Sequence, residues 1–125
     1  MANKFRSSFE IKLNGVDYTL RPSFEAIMEF NDKAGMDIFE ALQLFANQKI
    51  NVKIIAASIW AGIKGEAYLQ NDRNPPSFEK IGRECQAHGF SECTAFAIDF
   101  LSKAIASDES LKKLQGETPE NQAGE

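Results

Sequence analysis

Cys85, His88 and Cys93 are the side chains best able to do chemistry in this chain. Cys85 and His88 stand three residues apart, so they can share one face of a helix. With Cys93 they offer three ligands for a metal ion. A closed zinc site takes four, usually in paired spacing, and the fourth would have to be Glu84 or Glu92. The same pair could act as a thiol nucleophile and its base, but the sequence shows no third residue to orient His88 and no oxyanion hole. His88 is the only histidine, so a serine nucleophile has no base elsewhere. Plainer roles fit better: both cysteines as small core residues, and His88 near a helix C-terminus, where positive charge is favourable. No catalytic set, metal or cofactor is expected.

Other candidates are weaker. The carboxylates Glu25, Glu29, Asp32, Glu40, Glu79 and Glu84 stand where helix caps and solvated faces would use them. A glycosidase-type pair needs a cleft that so small a domain seldom has. Gly62 and Gly65 belong to no G-x-x-x-x-G-K-[ST] loop. Arg21 could hold an anion, but pairing with a carboxylate of the following helix, such as Glu25, is the commoner outcome.

Composition narrows the class. The chain of 125 residues fits one domain, long enough to bury a core without metal or disulfide staples. Ten phenylalanines are a surplus; most belong in the core, and the remainder raises the odds of a partner surface. The net charge is −4, from 14 basic and 18 acidic residues. Lys112-Lys113 is the one adjacent basic pair, so the cationic stripe of a nucleic-acid binder is missing. Two cysteines make no disulfide framework. There is no leader-like opening, no membrane-length apolar run, and no myristoylation signal at Met1-Ala2. The expectation is a soluble cytoplasmic protein with reduced thiols and no membrane partner.

The elements that must position these residues begin with a hairpin. Phe9 to Leu13 and Val16 to Leu20 both alternate apolar and polar, and Asn14-Gly15 between them suits a two-residue type I′ turn. That loop opposes Leu13 to Val16, Ile11 to Tyr18 and Phe9 to Leu20 on one face. Lys12 meets Asp17 and Glu10 meets Thr19 on the other. The apolar face calls for a helical layer. Pro22 ends the second strand and Ser23 caps a helix to about Ala34, stopped by Gly35. Its apolar residues are Phe24, Ile27, Met28 and Phe30. Asp37 and Glu40 open a second helix, to about Asn47, with Ile38, Leu42 and Phe45 on one side. Asn51 caps a third, Val52 to Lys64, stopped by Gly65 and apolar on nearly every side. Such a helix is central to the core or carries a second, partner-facing side. A polar loop follows, Glu66 to Pro76. Ser77 caps a helix to about His88, stopped by Gly89. Ser91 caps the last, Glu92 to about Ser107, with Phe96, Ile98, Phe100, Leu101 and Ile105 as its apolar face. The fold class is α+β, an N-terminal β-hairpin packed against about five α-helices. It reads as a flexible lead-in over 1–8, one domain over 9–111, and a disordered polar tail over 112–125.

The opening line carries a resemblance. Gly15, Tyr18, Leu20, Arg21, Pro22, Ser23, Phe24, Glu25, Ala26 and Ile27, followed by the glycine-ended third helix, resemble the small tail assembly chaperones of gene transfer agents and related prophages, a family also labelled as tail tube proteins. The likeness runs from about Phe9 to Ile105, dense at the start and thin after Gly65. Departures are Asn31 in place of a late helix-1 glutamate, a longer Glu66 to Pro76 loop, and the polar tail. The resemblance implies a non-enzymatic factor that binds the tape-measure protein while the tail tube polymerises, with the tail tube protein as a further partner and self-association as a further property. A long helix with apolar stripes can lie in an aromatic-rich groove. Trp60 is the favoured anchor and Phe30 and Phe39 are secondary ones, as apolar side chains left over from the core. The alternative is a structural tail tube or connector subunit; a small hydrolase built on Cys85 and His88 ranks last.

From about Gly116 onward the tail offers nothing large to bury. Truncation after Gln115 is expected to leave the melting temperature nearly unchanged, and a drop of several degrees in a thermal scan would show that the tail docks.

Overall fold

Asn14 and Gly15 both have positive φ, 51° and 81°, the conformation a type I′ turn requires. The turn therefore sets the register of β1 (Phe9–Leu13) and β2 (Val16–Leu20), which pair antiparallel as Phe9–Leu20, Glu10–Thr19, Ile11–Tyr18, Lys12–Asp17 and Leu13–Val16. Lys12 and Asp17 form an exposed ion pair at 2.8 Å on the outer face. Ile11, Leu13 and Leu20 are buried, while Phe9 and Tyr18 pack at the edge of the core. Val16, expected inside, is exposed. The helices thus cover the hairpin well except at its tip.

The computed structural model describes residues 8–49 and 51–106. The expected lead-in, apart from Ser8, and the expected tail lie outside the described residues. Five helices follow the hairpin: α1 (Phe24–Ala34), α2 (Ile38–Ala46), α3 (Val52–Gln70), α4 (Phe78–His88) and α5 (Phe90–Ile105). The fold is α+β. Among the described residues no helix is long and apolar enough to cross a membrane.

Four of the helix starts follow from one physical need, to satisfy the first free N–H groups. Ser23, Asp37, Asn51 and Ser77 each accept a backbone N–H through the side chain, a contribution of about 1 kcal/mol apiece. The fifth start differs from expectation. Gly89, at φ 111°, ends α4 and begins α5 in one residue. Its carbonyl accepts from Glu92 and Cys93 at 3.0 and 3.1 Å, so Ser91 already lies inside the first turn and has no capping work to do.

The largest correction concerns α3. It does not stop at Gly65 but runs on to Gln70, so the expected loop shrinks to its last part. Asn71 makes the left-handed exit instead, at φ 58°, a conformation asparagine tolerates better than most residues. Gly62 and Gly65 are helical and serve closeness. A Cβ on Gly62 would lie 2.6 Å from Leu20 Cγ. One on Gly65 would lie 2.3 Å from the Arg21 carbonyl oxygen and 2.9 Å from Ala26 Cβ. Arg21 N–H donates to the Gly62 carbonyl at 2.9 Å, which ties the strand end to α3.

From Ile54 to Ile63 every residue of α3 is buried. It is the central helix, wrapped by the hairpin, α1, α4 and α5. The buried residues of α1 are Ala26, Phe30 and Ala34, while Phe24 and Met28, two of its apolar residues, face out. α1 comes close to α3 where Ala26 faces Gly65, and its buried stripe runs through Ala26, Phe30 and Ala34, which turns Phe24 and Met28 outward. In α5 the buried set is Cys93, Ala97, Phe100, Leu101 and Ala104; Phe96 and Ile98 pack at its margin and Ile105 is exposed.

The two kinds of helical glycine have opposite mutational signs. Gly65→Ala gains helix propensity but drives a methyl into backbone, and is expected to cost about 1–3 kcal/mol. Gly82→Ala in α4 meets nothing within 4 Å, and is expected to add about 0.5–1 kcal/mol. Urea unfolding midpoints of the two variants check both signs.

Candidate functional site

The sulfur and imidazole groups divide between two unrelated jobs. Cys85 and Cys93 are both fully buried and both free. The Cys93 thiol points at the Cys85 carbonyl oxygen, 3.9 Å away. Burial, then the neighbouring Cys93, pushes the Cys85 thiol up to about 12, and burial raises Cys93 as well. Neither is a thiolate at neutral pH, so neither is ready as a nucleophile.

His88, at the end of the same helix, serves the hairpin. Its Nδ1 accepts the Asn14 backbone N–H at 2.8 Å. Its Nε2 lies 3.7 Å from Glu92, and its ring meets Phe96 at 5.9 Å. Among the described residues, no three His, Cys, Asp or Glu side chains gather closely enough to hold a metal ion. Tyr18 adds a second tie between hairpin and α4, donating to Glu84 at 3.3 Å. Arg21 pairs with Glu66 at 2.9 Å rather than with Glu25, because the extended α3 brings Glu66 beneath it.

The aromatic anchors are redistributed too. Trp60 is 8% exposed and Phe30 is fully buried, so both are core residues rather than surface anchors. Phe30 packs against Phe100 with centroids 6.4 Å apart. Trp60 meets Phe78 edge to face at 5.9 Å. The Lys33 and Lys64 ammonium groups lie 5.3 and 5.4 Å from its ring centroid, at cation–π range. The Trp60 indole N–H finds no acceptor among the described residues. Phe39 alone of the three stands out in solvent, at 66% exposure.

A different apolar surface takes their place. Phe24 is 70% exposed, Met28 49% and Tyr68 54%. Together with Glu25, Glu29 and Asp32 they line a shallow depression of about 240 Å³ between α1 and the last turns of α3. A second depression of about 300 Å³ adjoins it along Arg21, Ser23, Gly65 and Leu69, sharing Glu25 and Tyr68. The Tyr68 hydroxyl donates to Glu29 Oε2 at 2.9 Å; that hydrogen bond, then the Glu29 charge, raises the phenol above its usual range. Lys64 stands 3.8 Å from the same carboxylate oxygen. By the helical period, Glu25, Glu29 and Asp32 form one stripe beside Phe24 and Met28. Since Glu29 bonds Tyr68, the stripe lies between the two apolar walls.

Sequence reasoning missed this surface for one reason. Ending α3 at Gly65 left Tyr68 in a loop, so nothing placed it beside Phe24 and Met28 of α1. The available signal was the spacing of Ala26, Phe30 and Ala34, four residues apart, which makes one buried stripe on α1 and turns Phe24 and Met28 away from it.

No protein family, no curated protein and no solved structure matches this chain.

Both thiols are expected to resist a disulfide-exchange reagent such as DTNB at pH 8 in the native protein, and to react fully in denaturant. Raised thiol values also link to stability. Their contribution is complete below the ordinary thiol value of 9.0 and is lost as pH climbs toward about 12. Melting temperature is therefore expected to fall through that alkaline window, and less so in a Cys85→Ala variant.

Proposed function

We propose that this chain is a non-enzymatic protein-binding factor, a tail assembly chaperone that holds the tape-measure protein of its own gene cluster. One observation carries the reading: Phe24, Met28 and Tyr68 form an open apolar surface on a domain whose other large side chains are mostly inside. Exposed clusters of this kind mark interaction sites, and methionine beside aromatics is typical of surfaces that grip helices. The chemistry-bearing groups point the same way. The cysteines are buried and protonated, and His88 is engaged with the hairpin turn. The opening line from Gly15 to Ile27, with its likeness to tail assembly chaperones, supplies the partner. The anchor residues move from Trp60 and Phe30 to Phe24, Met28 and Tyr68, and Phe39 remains a further candidate on its exposure.

Co-expression tests this reading. The tape-measure protein is expected to be soluble with this chain and insoluble without it. Phe24→Asp and Met28→Asp, at exposed positions, should weaken capture by about tenfold or more while leaving the melting temperature close to that of the parent. Equal insolubility of the tape measure with and without the chain removes the proposal.

A further inference from the structure

The α1–α3 depression has a composition that chooses its occupant. It is lined by Phe24, Met28 and Tyr68 together with the carboxylates Glu25, Glu29 and Asp32. Glu29 is already served by Tyr68 and Lys64. The Glu25 and Asp32 side chains are exposed and carry neither an ion pair nor a hydrogen bond among the described residues. An occupant must therefore bring apolar surface to Phe24, Met28 and Tyr68, and positive charge to the two exposed carboxylates. Lysine and arginine do both, since their aliphatic stems lie along apolar surface while the cationic head stays with charge or water. The head would also face the Tyr68 and Phe24 rings, which attract cations. A net charge of −4 works against a second copy of this chain as the occupant.

We infer that the surface binds a basic amphipathic helix, and that one Lys or Arg of that helix enters the depression between Phe24 and Tyr68 to meet Glu25 and Asp32. This deepens the chaperone reading and rests on it only in taking this face as the docking face. The α1 face is 11 residues long, about 16 Å at 1.5 Å per residue. A partner segment of three turns covers it, with leucine-like residues at i and i+4 on Phe24 and Met28 and the cation between them and Tyr68.

Three helical peptides of the same 18-residue design serve as probes, identical but for the inserting position and its flanks, filled with lysine, norleucine or glutamate. Fluorescence anisotropy with the full chain is expected to give affinity in the order lysine, norleucine, glutamate. Lysine should lead norleucine by about tenfold at low salt, and raising ionic strength should shrink the lead. The double variant Glu25→Lys, Asp32→Lys is expected to reverse the order. Equal binding of the three peptides, or a lead unaffected by both salt and charge reversal, overturns the inference. So does a concentration-dependent dimer, seen by sedimentation, that is abolished by Phe24→Asp. If the variant does not fold, the salt dependence of the unaltered chain decides. The outcomes separate from those of co-expression. A solubilised tape measure with no charge preference leaves the chaperone reading standing and ends this one. A clear preference with an insoluble tape measure does the opposite.

Discussion

Everything in this fold depends on how closely Arg21, Pro22 and Ser23 lie against α3. The Arg21 N–H bonds the Gly62 carbonyl, and the Arg21 carbonyl sits where a Gly65 side chain would begin. Two helical glycines, each unfavourable by about 1 kcal/mol on propensity, are kept because backbone must pass there. Pro22 suits the crossing: it lacks an N–H that would need a partner, and it is buried. From this junction the hairpin leaves in one direction and α1 in the other. Both are registered on the same turn of α3. The Arg21–Glu66 pair, largely shielded from water, closes the junction on its polar side and orients the strand end.

The exposed surface is a consequence of that closeness rather than a separate feature. A helix held near another by glycine can place only small residues between them. Ala26, which faces Gly65, stays small, while Phe30 and Ala34 continue the same buried stripe, with Phe30 against Phe100. Phe24 and Met28 are turned outward by the same rotation. The continuation of α3 past Gly65 then raises Tyr68 beside them. One packing decision thus creates both the tight interface and the apolar surface. On a free-standing domain such a surface is a liability in water, offset in part by the carboxylates Glu25, Glu29 and Asp32 that line it.

The hairpin is secured at three points with different physics. Leu20 packs against Gly62. Tyr18 reaches Glu84 on α4, beside the Lys80–Glu84 pair at 2.7 Å. Asn14, at the turn, gives its N–H to His88. A two-stranded sheet alone is marginal in water, so these ties to α3 and α4 are what make it a fixed part of the domain. They also account for the only histidine in the chain, which a reading by reactive groups set beside the cysteines. Side chains three apart on one helix can share a face, yet here Cys85 turns to the core and His88 to the hairpin.

Elements governed by local chemistry could be read directly from residue types and spacing. The Asn14-Gly15 turn set the strand register, because two positive φ values leave little choice of loop. Ser23, Asp37, Asn51 and Ser77 marked four helix starts, because free N–H groups need nearby oxygen. The α+β class followed from those elements. Which face of α1 is inside, where α3 ends, and whether Trp60 is anchor or core depended on how the helices pack together. Those questions turn on distances between helices, and residue type in one helix does not report them. Gly65 has two meanings in a sequence, helix stop or close contact, and they differ only in what lies opposite. Arg21 and Ala26 lie opposite, so the glycine continues the helix. Tyr68 joins the surface, and Trp60 is covered by Phe78 and two lysines.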